Sequence, residues 1–135
     1  MADRLPMAGG PAIATRVLTL LPGGRPVRVE IDPPARRGTG AWSSAYRIRG
    51  LGKVRVGHGR GADSLEALQA ALAAVGRELE PFAPRLTWKG EAGELGLPAP
   101  VPDDFGGDFR RRLERLIQVE TARETRRLRA LGGLG

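Results

Sequence analysis

Residues Ile13–Asp32 read IATRVLTLLPGGRPVRVEID, and this stretch decides the fold class. Its first half, 13–21, is rich in β-forming residues. Pro22-Gly23-Gly24-Arg25 supplies turn chemistry, because glycine takes positive φ without steric cost. The second half alternates strictly. Val27, Val29 and Ile31 fall on one face of an extended chain, and Arg28, Glu30 and Asp32 on the other. Strand, turn and strand make a hairpin, and a hairpin this short makes neighbouring strands antiparallel.

Outward from the hairpin, the chain continues in the same style. Residues 33–40 form a loop. Residues 41–49 alternate again, with Trp42, Tyr46 and Ile48 assigned to the core face and Ser43, Ala45, Arg47 and Arg49 to the other. Gly50-Leu51-Gly52 leads into a fourth strand, 53–57, with Val54 and Val56 read as inward and Lys53 and Arg55 as outward. The first helix, 63–81, opens on Asp63 as N-cap with Glu66 three residues later, a capping-box pattern that satisfies free backbone N–H groups. Leu65, Leu68, Leu72, Val75, Leu79 and Phe82 recur at spacings of three and four and are read as its buried stripe. On that reading Leu72→Ala costs about 2–5 kcal/mol.

Pro81 and Pro84 close the helix, and a Gly- and Pro-rich stretch follows, in which Leu86-Thr87-Trp88 reads as a small strand or a packed loop. A second helix spans 108–129, with Phe109, Leu113, Leu116 and Ile117 as its apolar stripe and Asp103-Asp104 as acidic residues at its start. Residues 1–12 are small, aperiodic and broken by Gly and Pro, and read as a flexible N-terminal tail. The expectation is therefore an α+β domain over 13–131: a four-stranded, mainly antiparallel sheet (13–21, 26–32, 41–49, 53–57), one amphipathic helix on one face, and a second C-terminal helix.

Composition narrows the chemistry. The chain has 135 residues, with 22 Lys+Arg against 15 Asp+Glu, a net charge of +7, no Cys and one His. No disulfide, cysteine zinc site or thiol nucleophile can be built, and no metal site on paired histidines. No cofactor and no metal are expected, and catalysis is not the favoured reading. The longest unbroken apolar run, Ala70–Val75, is far too short to span a membrane, so no membrane contact and a cytoplasmic location are expected.

Charge is uneven along the chain. Residues 1–62 carry +8, residues 63–100 carry −3 and residues 101–135 carry +2. Arg28, Arg47, Arg49, Lys53 and Arg55 are read as one exposed basic sheet face, the candidate partner-binding set. Against this stands a solvated face whose charges discourage strand pairing. The run Gly57, His58, Gly59, Arg60, Gly61 is read as a loop between strand and helix, able to cradle an anion on its backbone N–H groups. The plainer alternative is a flexible connection. On the second helix, Glu114, Glu120 and Glu124 lie three or four residues from arginines and are read as surface ion pairs. Its apolar end, Leu128 and Leu131, could pack on a second copy.

The run Tyr46–Gly52, followed by Gly61-Ala-Asp-Ser-Leu-Glu-Ala-Leu-Gln-Ala-Ala-Leu72, resembles a small family of bacterial proteins known as a domain of unknown function. Leu86-Thr-Trp88 and Phe109–Ile117 fit it too, so the resemblance spans roughly residues 13–120. It implies a fold and transfers no catalytic residue. The leading functional reading is a non-catalytic binding or accessory module that recognises an acidic protein partner through the basic face. The alternatives are a nucleic-acid-binding accessory protein using the same arginines, and a small anionic ligand held by the Gly57–Asp63 loop. Substituting Arg47, Arg49 and Arg55 by Glu is expected to abolish binding without unfolding the protein.

Overall fold

The computed structural model describes residues 11–98 and 105–132. The tail expected over 1–12 falls almost wholly outside these residues, and Asp103-Asp104 lie outside them too. The chain divides into two compact units, residues 1–99 and 100–135.

The first unit is built on the expected hairpin. β1 (Ala14–Leu20) pairs antiparallel with β2 (Arg25–Ile31), Val17 opposite Arg28 and Leu18 opposite Val27. After β2 come a two-residue β3 (Ala35–Arg36), then β4 (Trp42–Arg49) and β5 (Arg55–Gly61). β2 and β3 share one edge of β4, and β5 takes the other. On the far side of β1 lie β6 (Leu86–Trp88) and β7 (Glu91–Ala92). The sheet is thus antiparallel with seven strands, not four. Strands of two or three residues are too short to display a period of two, which is why β3 and β7 escape a reading by alternation.

α1 (Ser64–Leu79) starts where expected. The Asp63 carboxylate accepts from the Glu66 N–H at 2.8 Å, and the Glu66 carboxylate reaches back to accept from the Ala62 N–H at 2.6 Å. This is a capping box shifted by one residue on the return bond. The buried line of the helix differs from the leucine stripe. Ala67, Ala71, Val75 and Leu79 are buried, Leu68 and Leu72 are only partly so, and Leu65 is 61% exposed. The core joins this line to Leu18, Leu20, Val27, Val29, Ile31, Tyr46, Ile48 and Leu86.

The cause of that rotation is β5. Residues 57–61, read as a loop, continue the strand in unbroken register with β4 from Arg55 to Gly61. Gly57, Gly59 and Gly61 occupy its helix-facing side. A Cβ on Gly59 would lie 2.1 Å from the Ala71 backbone nitrogen, and one on Gly61 2.5 Å from that of Ala67. The helix lies directly on the strand backbone, so its contact line must be alanine and the leucines are displaced to its flanks. Val54 and Val56, read as inward, are 48% and 55% exposed, because the glycines hold the covered side of β5. Leu72→Ala accordingly removes less buried surface than a central stripe position would.

A 3-10 segment, Glu80–Arg85, links α1 to β6. Beyond β7, Leu95 and Leu97 pack against the core, and the Arg16 guanidinium donates to the Leu95 and Gly96 carbonyls while lying 3.8 Å from the Trp88 ring centre. The second unit contains α2 (Gly106–Ala130), none of whose described residues is buried. It bears the expected surface pairs: Arg110 with Glu114, Arg123 with Glu120, and Arg127 with Glu124. The hydrogen bond from Arg127 holds the Glu124 carboxyl below its ordinary pKa.

Candidate functional site

The sheet has one face covered by α1 and one face on which described side chains meet solvent. Strand parity and register fix which residues share the open face. Thr15, Glu30, Arg47 and Val56 stand in one cross-strand row; Val17, Arg28 and Arg49 form the next. Beside them, Ala45 lies opposite His58, and Ser43 opposite Arg60.

The middle of this face is an ion network. Asp32 is only 1% exposed, and its two carboxylate oxygens accept from Arg47 Nη2 at 3.2 Å and Nη1 at 3.3 Å. Arg47 Nε donates to Glu30 at 3.3 Å, and Arg49 Nε lies 3.6 Å from the same Glu30 oxygen. A buried carboxylate held by a two-pronged guanidinium is costly to expose by removing one partner. Arg47 is therefore a structural residue. Charge reversal there leaves Asp32 buried and unpaired, so the triple substitution is expected to cost stability as well as binding.

Arg28 sits directly opposite Arg49, and like charges in that relation oppose each other. Among the described residues Arg28, His58 and Arg60 make no ion pair or side-chain hydrogen bond. All three are exposed.

The two sets of candidate residues are therefore regrouped. Arg28, Arg47 and Arg49 lie on the open face as expected. Arg55 does not: it pairs with Ile48 on the covered side, donates to Glu78 of α1 at 3.2 Å and lies 5.2 Å from the Phe82 ring centre. Lys53 lies in the connection between β4 and β5, outside both strands. From the supposed anion-binding loop, His58 and Arg60 turn to the open face. Gly57, Gly59 and Gly61 serve the helix contact, and the loop that would have cradled an anion is a strand.

The covered side holds a second polar group. Tyr46 Oη donates to Glu78 Oε2 at 3.0 Å, and a Cβ on Gly57 would fall 2.4 Å from that hydroxyl. Burial first, then the bond to Glu78, push the Tyr46 phenol up to about 12. With Arg55, this arrangement ties α1 to β4 and β5.

Sequence reasoning missed Glu30 and Asp32 as the partners of Arg47, since nothing in the spacing of residues 30, 32 and 47 brings them together before the strand register is known. It also missed the role of the glycines. Their spacing of two, before a helix with Ala67, Ala70, Ala71 and Ala74, is the pattern of close strand–helix contact. Among the described residues no group of three acidic, histidine or cysteine side chains could hold a metal ion, and no helix is long and apolar enough to cross a membrane.

Residues 14–99 match a family described as a domain of unknown function, DUF6968. The chain belongs to that family. The match covers the sheet and α1 and ends before α2, so Phe109–Ile117, which the resemblance took in, lie beyond it. No curated protein and no solved structure matches the chain.

Proposed function

We propose that this DUF6968 protein is a non-catalytic, cytoplasmic binding module that recognises an acidic protein partner through the open face of its sheet. The observation that carries the reading is the Arg28–Arg49 pair. Two exposed arginines stand directly opposite each other, and only Arg49 has an acidic neighbour, Glu30, which it shares with Arg47. Such a pair opposes folding on its own and is relieved by an anionic group placed over it. Arg60 extends the cationic surface across β5.

A protein partner is favoured over nucleic acid because, among the described residues, the open face offers no Trp, Tyr or Phe ring for base stacking and a single imidazole, His58. Tyr46 shares the covered parity with Ile48, and so does Trp42 at the end of β4; Trp88 is occupied by Arg16. The test compares affinity capture from nuclease-treated cell extract by the native chain and by an Arg28→Glu, Arg49→Glu, Arg60→Glu variant. The reading expects acidic proteins retained by the native chain, released by moderate salt and absent from the variant. Equal capture by both proteins overturns it. Salt-sensitive binding to generic duplex or single-stranded nucleic acid, lost in the variant, would transfer the face to a nucleic-acid role.

A further inference from the structure

β5 is hydrogen-bonded along one edge only. It pairs with β4 over its whole length, and among the described residues no hydrogen bond engages the backbone of its outer edge. A seven-residue edge of this kind is a template for another strand, and sheets ordinarily blunt such edges with lysine, proline or a bulge. β5 contains neither Lys nor Pro, and its register with β4 is unbroken.

Register fixes which peptide groups this edge presents. The Asp32 N–H donates to the Ala45 carbonyl at 2.8 Å, continuing the pairing of β2 with β4. Along an antiparallel ladder the direction of the peptide groups alternates. Ala45 and Arg47 therefore turn theirs to β2, and Ser44 and Tyr46 turn theirs to β5. Opposite these last two stand Gly59 and Gly57, which complete the bonds between β4 and β5. Val56, His58 and Arg60 are left with their N–H and C=O groups pointing outward. They are also the β5 residues whose side chains stand on the open face of the sheet.

We propose that the outer edge of β5 binds an extended segment of the acidic partner as an added strand, antiparallel like every other pair in this sheet. This rests on the acidic-partner reading above and names how that partner is held. Two features select the occupant. α1 lies directly over Gly59 and Gly61, so a strand carrying its own helix on that side, a second copy's β5 included, would collide with it. What fits is a bare segment whose side chains toward α1 are small. On the open side its residues become cross-strand neighbours of Val56, His58 and Arg60. An acidic residue opposite Arg60 meets an exposed guanidinium that makes no ion pair among the described residues. A β-branched residue opposite Val56 covers a side chain that is otherwise half exposed. In this mode main-chain hydrogen bonds give affinity and the alternating side chains give specificity.

The probe is the end-capped peptide Ser-Glu-Ala-Glu-Ala-Val-Ser, which sets its glutamates opposite Arg60 and His58, its valine opposite Val56 and its alanines toward α1. A control peptide is N-methylated at both glutamates and the valine, which keeps the charge and removes the hydrogen bonds to β5. Binding and amide hydrogen exchange are read by NMR on the full chain. Without peptide, Val56, His58 and Arg60 are expected to exchange freely while Gly57 and Gly59 are protected. With peptide the first three become protected, and the control binds roughly tenfold more weakly or worse. Protection of those three amides in the free chain overturns the proposal, as does absence of binding at about 1 mM peptide. Equal binding by the two peptides overturns it too. If that binding is lost in the Arg28→Glu, Arg49→Glu, Arg60→Glu variant, charge on the open face holds the ligand, and the acidic-partner reading stands without the added strand. Failure of that reading shows separately, as equal capture of acidic proteins by the native chain and the variant.

Discussion

The covered and open faces of the sheet use opposite means to hold the same strands. On the covered face of β5 there is almost no side chain: glycine lies against alanine, and packing is backbone on backbone. On the open face the side chains are long and charged, and one buried aspartate is held by one arginine. The covered face of β5 has no room for an added atom at Gly59 or Gly61, whereas on the open face Arg28, Arg49, His58 and Arg60 are exposed around a central ion pair. Stability is therefore concentrated in the first and in Arg47–Asp32, and the freedom to bind is concentrated around them.

The sharpest break of this contrast is Gly59→Val. The side chain would have to displace the α1 backbone, since even a Cβ lies 2.1 Å from the Ala71 nitrogen. A loss of about 5 kcal/mol or more is expected, enough to unfold the domain, read as loss of the cooperative melt by circular dichroism. A glycine kept only for loop flexibility would leave the melt in place. Arg47→Met comes next, with an expected loss of about 3–5 kcal/mol in chemical denaturation, because Asp32 is left buried and unpaired. Converting Asp32 and Arg47 together to a neutral pair should return part of that loss.

A smaller effect is tied to pH. Tyr46 titrates at about 12 in the folded chain against 10.0 ordinarily. Below pH 10 both states keep the proton and the contribution is whole. Between 10 and 12 only the unfolded state loses it, so on the order of 2 kcal/mol is lost as pH rises through that window. Tyr46→Phe should flatten this alkaline slope, and an unaltered slope would show that the phenol is not held. Smallest is Arg28→Glu. It removes a like-charge opposition, and its effect on the melt is expected to lie within about 0.5 kcal/mol. A large loss there would move Arg28 from the binding surface into the structural set.

How much was legible follows from which signals are local. The hairpin, the alternation of β2 and β4 and the Asp63–Glu66 cap each lie within a few residues, and all three appear as read. The α1 stripe held at Val75 and Leu79 but missed Ala67 and Ala71, because hydrophobicity was taken as the mark of burial. Where two backbones touch, the buried residues are the smallest ones, so Ala67 and Ala71 displaced Leu65 and Leu72. The same error inverted β5, whose valines face out because glycine is needed within. Of the candidate site, Arg28, Arg47 and Arg49 were legible from parity alone. Arg55 was misplaced because its parity was counted from the wrong face.

By itself, the sequence determined the α+β class, the antiparallel hairpin, the helix start and the exclusion of cysteine chemistry, since these depend on residue type and short-range periodicity. Only the tertiary structure decided what the charge excess is for. Strand register placed Asp32 and Glu30 against Arg47, removed Arg55 to the helix side and brought His58 and Arg60 round to the open face. Register is a relation between segments far apart in the chain, and a single residue of slip would exchange the two faces.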